Sequence, residues 1–176
     1  GMNQVRVYMG SPTGLLNTYW SATGSATDEE FGFCVSSAGD VNGDGYSDVI
    51  IGGYAHDGFR GRAYVYLGSP TGLGATYHWR VTGAVAAGRF GGSVSSAGDV
   101  NGDGYSDIIV GAYQENGMGA VYGYFGSATG LSTTASWTVA GAQLNADYGS
   151  VVTGGGDVDA DGYDDVLVGA QRHDHA

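Results

Sequence analysis

The stretch that decides the fold is Asp-Val-Asn-Gly-Asp-Gly-Tyr-Ser-Asp, at residues 40–48. It recurs unchanged at residues 99–107 and returns as Asp-Val-Asp-Ala-Asp-Gly-Tyr-Asp-Asp at residues 157–165, with spacings of 59 and then 58 residues. Each copy has oxygen-bearing side chains at positions 1, 3, 5 and 9 and a glycine at position 6. Alternating acids in one short loop supply the oxygen ligands that a hard cation such as Ca²⁺ prefers.

We therefore predict three Ca²⁺ sites per chain, each using side chains at positions 1, 3, 5 and 9 and the backbone carbonyl of position 7. Position 12 is Ile51, Val110 or Val168 where an EF-hand needs a glutamate, so the loop is a connection between strands. The alternative is a turn without an ion, because Asp, Asn and Gly favour turns by themselves. The predicted ligands are Asp40, Asn42, Asp44, Tyr46, Asp48, Asp99, Asn101, Asp103, Tyr105, Asp107, Asp157, Asp159, Asp161, Tyr163 and Asp165.

Composition and charge are typical of one folded, acidic domain. The chain has 176 residues, of which 42% are hydrophobic, and a net charge of −12 that three bound Ca²⁺ would reduce to −6. The acidity argues against binding to nucleic acid, which requires basic surfaces. The single cysteine, Cys34, excludes an intramolecular disulfide, and no apolar run approaches a membrane span. A secretion signal is absent from this sequence, and we expect no membrane insertion.

Repeated segments of 40 to 60 residues with short strands indicate an all-β propeller. Within a repeat we predict strand A at about 31–39, strand B at 48–54, strand C at 62–67 and strand D at 75–82, all antiparallel. Residues 1–176 would then form three repeats of about 58 residues, with blades at 31–83 and 90–141. The third blade would be split between the termini, at 148–176 plus 3–24.

The split repeat predicts self-association. Three blades leave strand edges unpaired, so we expect a head-to-tail homodimer of six blades in which strands A and B of one chain pair with strands C and D of the other. The alternative is a fragment of a longer propeller. The A–B and C–D loops are nearly constant between repeats, whereas the B–C and D–A loops differ, so we expect an unknown protein or glycan ligand on the B–C/D–A face.

Phe31-Gly32, Phe90-Gly91, the acidic loops and segments such as Ile51-Gly52-Gly53 resemble FG-GAP repeats, the blades of the propeller in integrin α subunits and in many bacterial surface and secreted proteins. The resemblance implies Ca²⁺ in the A–B loops, a partner on the opposite face, and an extracellular or cell-surface adhesion module. The third repeat departs from the pattern, with Tyr148 in place of Phe and Asp159 in place of Asn.

We find no signature of a catalytic nucleophile, so we predict a non-catalytic protein. The alternatives are a lectin that stacks sugars on the recurring Trp20, Trp79 and Trp137, and a scaffold fragment of a Ca²⁺-dependent hydrolase. Packing between blades is the competing role for the tryptophans. The pair His173 and His175 is too small a ligand set for a defined metal site.

Overall fold

A computed structural model describes residues 3–25 and 29–172, and this part of the chain is nearly all β. A short helical turn at His56–Phe59 and a 3₁₀ turn at Glu115–Gly117 lie in the B–C loops. The strands are β1 (Gln4–Ser11), β2 (Gly14–Thr23), β3 (Cys34–Gly39), β4 (Asp48–Gly53), β5 (Arg62–Tyr66), β6 (Trp79–Thr82), β7 (Phe90–Gly98), β8 (Asp107–Ala112), β9 (Ala120–Tyr124), β10 (Trp137–Ala140), β11 (Tyr148–Gly156) and β12 (Asp165–Ala170).

Two sheets have the four antiparallel strands of a propeller blade, in the order β3-β4-β5-β6 and β7-β8-β9-β10. We call them blade 1 and blade 2, and their strands are the predicted A to D. The first strand of blade 1 begins at Cys34, later than predicted, and its last strand is only Trp79–Thr82. A turn precedes this strand, in which the Ser69 hydroxyl donates to the Gly72 carbonyl at 2.6 Å.

The first and last strand pairs form separate two-stranded sheets, β1-β2 and β11-β12. Sequence alignment of the repeats assigns β1 and β2 to strands C and D, and β11 and β12 to strands A and B. Within the described residues β12 pairs only with β11, and β1 pairs only with β2. Among these residues the two halves of the third blade do not pair with each other, and the shared blade stays a prediction.

The core lies between blades, as expected for sheets stacked face to face. Its largest cluster joins Ile50 and Val65 of blade 1 to Phe90 and Val110 of blade 2, all buried. β-branched residues of strands B and C contribute Ile50, Val65, Ile108 and Val110 to this cluster, and these two strands are the central pair in each blade.

Glycine is required where strand B of one blade meets strand A of the next. A Cβ on Gly52 would lie 2.0 Å from the carbonyl oxygen of Gly91, and a Cβ on Gly111 would lie 2.0 Å from that of Gly149. Both obstacles are backbone atoms, so no side chain can move aside. These contacts set the separation between neighbouring blades.

We expect Gly111→Ala to lower the free energy of unfolding by ~3 kcal/mol, because the added methyl forces two blades apart. Denaturant unfolding followed by tryptophan fluorescence measures the change. The matched control is Gly74→Ala, at an exposed position where the new Cβ would meet its nearest atom at 3.4 Å. Equal stabilities of the two variants would contradict the assigned contact.

Candidate metal centre

Each acidic loop connects strands A and B, and its first aspartate organises the loop backbone. The Asp40 carboxylate accepts N–H groups from Gly43 at 2.7 Å, from Asp44 at 3.1 Å and from Gly45 at 2.7 Å. Asp99 and Asp157 do the same for the residues at positions 5 and 6 of their loops, at 2.8 to 3.0 Å. The first ligand candidate is therefore fixed in the same pose in all three loops.

Positions 3 and 5 are held by bonds within the loop. Asn42 accepts the N–H of Asp44 at 3.2 Å and its amide donates to the Asp44 carboxylate at 2.9 Å. The other oxygen of Asp44 accepts the N–H of Tyr46 at 2.9 Å. Asn101 and Asp103 repeat these contacts in blade 2. The loop thus gathers several oxygens in one tight turn.

The ninth position joins the acidic loop to the C–D loop. The Asp48 carboxylate is buried and accepts the N–H of Val41 at 2.9 Å and that of Gly68 at 2.8 Å. The Asp107 carboxylate makes the equivalent bonds in blade 2, to Val100 at 2.9 Å and to Gly126 at 2.8 Å. The A–B and C–D loops therefore lie on the same face, as the sequence predicted.

These buried carboxylates have no cationic partner, since none of the ion pairs found in residues 3–25 and 29–172 involves a loop aspartate. Burial raises the pKa of Asp107 to about 6, although the two backbone hydrogen bonds counteract part of the shift. Burial raises the pKa of Asp48 in the same way. A divalent cation would favour the charged form of such a group, so the donor set fits Ca²⁺.

The third loop brings its carboxylates closest together. Asp157, Asp159 and Asp165 each place a carboxylate oxygen so that the three lie within 4.8 Å of one another. Asp161 instead turns one oxygen to the N–H of Tyr163, at 3.0 Å. An acidic cluster of this kind is a candidate cation site, and the position-7 carbonyls of Tyr46, Tyr105 and Tyr163 stay predicted ligands.

Sequence reasoning missed the role of position 8, which connects the loops of consecutive blades. Asp40 exchanges two bonds with Ser106: its carbonyl accepts the Ser106 N–H at 2.9 Å, and its N–H donates to the Ser106 hydroxyl at 3.1 Å. Asp99 and Asp164 make the same exchange at 3.1 and 2.8 Å. The only signal in the sequence was that position 8 is always a side chain with an acceptor oxygen.

The opposite face contains a buried acid that the sequence did not single out. Glu29 is fully buried; its carboxylate accepts the Ser25 N–H at 2.8 Å and the hydroxyl of Tyr64. In blade 2 the Tyr122 hydroxyl donates to Glu115 at 2.5 Å, and Glu115 comes from a different loop. Two unrelated loops thus satisfy equivalent tyrosines, which only the folded chain reveals.

An arginine and a group of aromatic rings occupy the same B–C/D–A face. The Arg89 guanidinium lies 5.2 to 5.4 Å from the ring centres of Tyr54, Phe59 and Tyr113, and it donates to the Tyr113 hydroxyl at 2.8 Å. Phe33 contacts Tyr54 edge-on and is itself exposed. We call these five residues the aromatic patch. Accessible rings around a cation on a loop face are suited to binding a partner.

The tryptophans and the cysteine that the sequence singled out have packing roles in the structure. Trp20 packs edge-on against Tyr66 and Trp79 against Tyr124, both with ring centres 4.9 Å apart, which confirms packing between blades. Trp79 is buried and so is not accessible to a sugar, whereas Trp20 is half-buried. Cys34 is half-buried beside the core. His173 and His175 lie outside the described residues, and no helix within residues 3–25 and 29–172 has the length and apolarity to cross a membrane.

Four-stranded antiparallel blades whose A–B loops carry clustered acids define a β-propeller with candidate cation loops. A family model described as "FG-GAP repeat" matches residues 35–66, 90–127 and 148–176, which is more than half of the chain. The chain therefore belongs to the FG-GAP repeat family.

Curated relatives are integrin alpha subunits. The chain is 32% identical to integrin alpha-4 of Xenopus laevis over 168 residues, covering 92% of this chain and 16% of that protein. It is 36% identical to integrin alpha-5 of Xenopus laevis over 169 residues, which cover 88% of this chain and 16% of that protein. It is also 36% identical to integrin alpha-PS2 of Drosophila melanogaster over 174 residues, which cover 88% of this chain and 12% of that protein. The chain thus spans only about one sixth of the length of these relatives, or less.

Proposed function

We propose that this chain is a calcium-binding, non-catalytic β-propeller module that serves adhesion or the binding of another protein or ligand. The observation that carries the proposal is the acidic loop itself, which three successive repeats build with the same backbone bonds to the first aspartate. Buried carboxylates at Asp48 and Asp107 without a cationic partner add a second reason for a bound ion.

The position of the loops suggests different roles for the two faces of the propeller, the A–B/C–D face and the B–C/D–A face. The calcium loops are joined to the C–D loops by the hydrogen bonds that Asp48 and Asp107 accept from Gly68 and Gly126. The aromatic patch and the variable B–C and D–A loops are available on the other face, where we place the ligand or partner site. The similarity to integrin alpha subunits supports an adhesive role and an extracellular or cell-surface location.

Replacing one loop ligand tests the calcium sites directly. We expect Asp103→Ala to reduce the Ca²⁺ stoichiometry from three to two per chain, measured by isothermal titration calorimetry and by tyrosine-sensitised terbium luminescence. Its cost in unfolding free energy should be larger in Ca²⁺ than in chelator, because it removes a ligand in the first case and relieves repulsion between carboxylates in the second. An unchanged stoichiometry, or equal costs in both conditions, would show that Asp103 is not a ligand.

A further inference from the structure

The aromatic patch contains a cation that no carboxylate of the described residues neutralises. Arg89 is half-buried among rings, and it takes part in none of the ion pairs found in this part of the chain. A charge that is partly removed from water gains most from a partner of opposite sign. We propose that the aromatic patch binds a protein segment in which an acidic side chain stands next to an apolar one, with the carboxylate on Arg89.

The patch is part of the junction between blade 1 and blade 2, and the described chain contains both blades in full. Tyr54 and Phe59 follow strand B of blade 1, whereas Arg89 precedes strand A of blade 2. The Arg89 N–H donates to the Phe59 carbonyl at 2.8 Å, so the backbones of the two loops are joined. The exposed ring of Phe59 therefore lies at a complete junction and not at an unpaired strand edge.

The hydrogen bonds of the guanidinium decide from which side a ligand approaches. Nη1 donates to the Tyr113 hydroxyl at 2.8 Å, whereas Nε is enclosed and has no hydrogen-bond partner. Nη2 also has no partner among the described residues, so it is the nitrogen left for an acceptor from outside. A carboxylate on this side would form a charge-assisted hydrogen bond, which is about twice as strong as a neutral one.

The acids on the same face already have partners within the chain. These pairs are Glu29 with Tyr64, Glu30 with Asn3, Asp57 with Arg60, Glu115 with Tyr122, and Asp147 with Arg172. The remaining acids of this face, Asp28 and Asp174, lie outside the described residues. Arg89 is thus the half-buried cation of this face to which a partner protein can bring a carboxylate.

Phe59 keeps its ring at the surface at a conformational cost. Its φ of 63° lies in the left-handed region that disfavours a bulky side chain, and it is 45% exposed. Blade 2 has Gly117 at the equivalent position, with a φ of 72°. Glycine would satisfy the backbone without this cost, so contact with a partner is the reason we assign to the ring.

The rings select the kind of molecule that carries the carboxylate. Phe33 and Phe59 are 57% and 45% exposed and have no hydrogen-bonding group in their side chains. A sugar acid would bring hydroxyl groups that these rings leave unpaired, whereas an aliphatic or aromatic side chain gives up only its contact with water. The patch therefore suits an acidic residue beside an apolar one better than it suits an acidic glycan.

This inference rests on the proposed function, in which the B–C/D–A face binds a partner, and it adds the chemistry of that partner. The probe is 3-phenylpropionate, which joins a phenyl ring to a carboxylate, added to the folded chain in Ca²⁺. Saturation-transfer NMR on the probe should give a dissociation constant of ~1–10 mM, the range for a ligand of this size. The side-chain signals of ¹⁵N-labelled Arg89 should shift along the same titration.

The neutral amide of the probe tests the charge. We expect 3-phenylpropionamide to bind at least ~10-fold more weakly, because it offers Arg89 no anionic oxygen. Equal binding of the acid and the amide would overturn the carboxylate site.

Two variants introduce residues that other repeats have at the same place. Arg89→Glu matches Glu30, which has a φ of 52° where Arg89 has 59°, and Phe59→Gly matches Gly117. Both backbones accept the new residue, so we expect folded proteins that bind the probe ~10-fold more weakly or less. Unchanged binding by either folded variant would overturn the proposal, and Phe59→Gly decides the matter if Arg89→Glu does not fold.

The matched control is Arg80→Glu. Arg80 is an exposed arginine on strand D of blade 1, and its guanidinium lies 4.9 Å from the ring centre of Tyr77. The variant changes the net charge as Arg89→Glu does but leaves the patch intact, so we expect wild-type binding of the probe. Equal losses for Arg80→Glu and Arg89→Glu would reduce the effect to overall charge and overturn the site.

Other ligands distinguish the remaining explanations. Tighter binding of the sugar acid N-acetylneuraminate than of 3-phenylpropionate would identify a glycan site instead, and acetate that binds as tightly as the probe would show that the rings contribute nothing. Calcium stoichiometry, titrated in the same samples, separates this inference from the proposed function. Three bound ions without probe binding would overturn the carboxylate site alone, whereas probe binding without bound Ca²⁺ would overturn the calcium module alone.

Discussion

Removing Ca²⁺ should lower the melting temperature of this protein by ~15–30 °C, given ~2–4 °C per kcal/mol for a chain of this length. A ligand at 100 times its dissociation constant stabilises the folded state by ~2.7 kcal/mol per site, so three loops together would contribute ~8 kcal/mol. Chelation also leaves the carboxylates of Asp157, Asp159 and Asp165 within 4.8 Å of one another without a counter-ion. Calorimetric scans in excess Ca²⁺ and in excess EGTA measure the difference.

A variant that lacks one ligand in each loop is the control for this experiment. The combination Asp44→Ala, Asp103→Ala and Asp161→Ala should melt at one temperature in both buffers. Identical melting curves of the wild-type chain in Ca²⁺ and EGTA would contradict calcium binding.

Asp107→Asn should cost ~2–4 kcal/mol of unfolding free energy, and most of this cost should persist in EGTA. The buried carboxylate accepts one N–H on each oxygen, from Gly126 and from Val100. An asparagine keeps one acceptor and turns its own amide towards the other N–H, so a buried donor loses its partner. Urea unfolding in EGTA measures the part of this free-energy cost that is independent of the ion. The additional cost found in Ca²⁺ is the part that depends on the ion.

Two asparagine substitutions provide matched controls. Asp57→Asn changes an exposed carboxylate whose partner is Arg60 at 3.4 Å, a surface pair that contributes only ~0.5 kcal/mol. Asp165→Asn changes the equivalent loop position, where the Val158 N–H at 2.8 Å is the one donor identified in the described chain. Asp165→Asn should therefore cost less unfolding free energy than Asp107→Asn. If Asp107→Asn and Asp57→Asn lowered the unfolding free energy equally, the burial of Asp107 would not contribute to stability.

The sequence predicted the blades and loops because both follow from local patterns. β-branched residues in strands B and C and glycine-rich turns identify antiparallel hairpins at 48–54 and 62–67 without knowledge of the fold. Strand ends were less predictable. Residues 75–78 have the side chains of a strand, but the structure begins strand D at Trp79, whose indole donates to the Ser132 carbonyl of the next blade at 2.8 Å.

Glu29 and Arg89 illustrate what local patterns could not predict. Both residues are in loops that differ between repeats, so no periodic signal identified them. Glu29 is buried because Tyr64 and Ser25 approach it from distant segments, and Arg89 is surrounded by rings from two blades. Contacts between residues far apart in sequence depend on how the blades stack.

By itself, the sequence determined the repeat, the strands and the acid spacing of the loops, because each depends on residues within one segment of about 58 positions. Only the tertiary structure decided which aspartates are buried and which edges are left open. Asp48 and Asp165 occupy equivalent positions, yet Asp48 is enclosed by its own C–D loop whereas Asp165 is left accessible to solvent. Equivalent residues differ in burial here because burial depends on contact with a C–D loop about 20 residues away in the chain, and the acidic loop alone does not determine that contact.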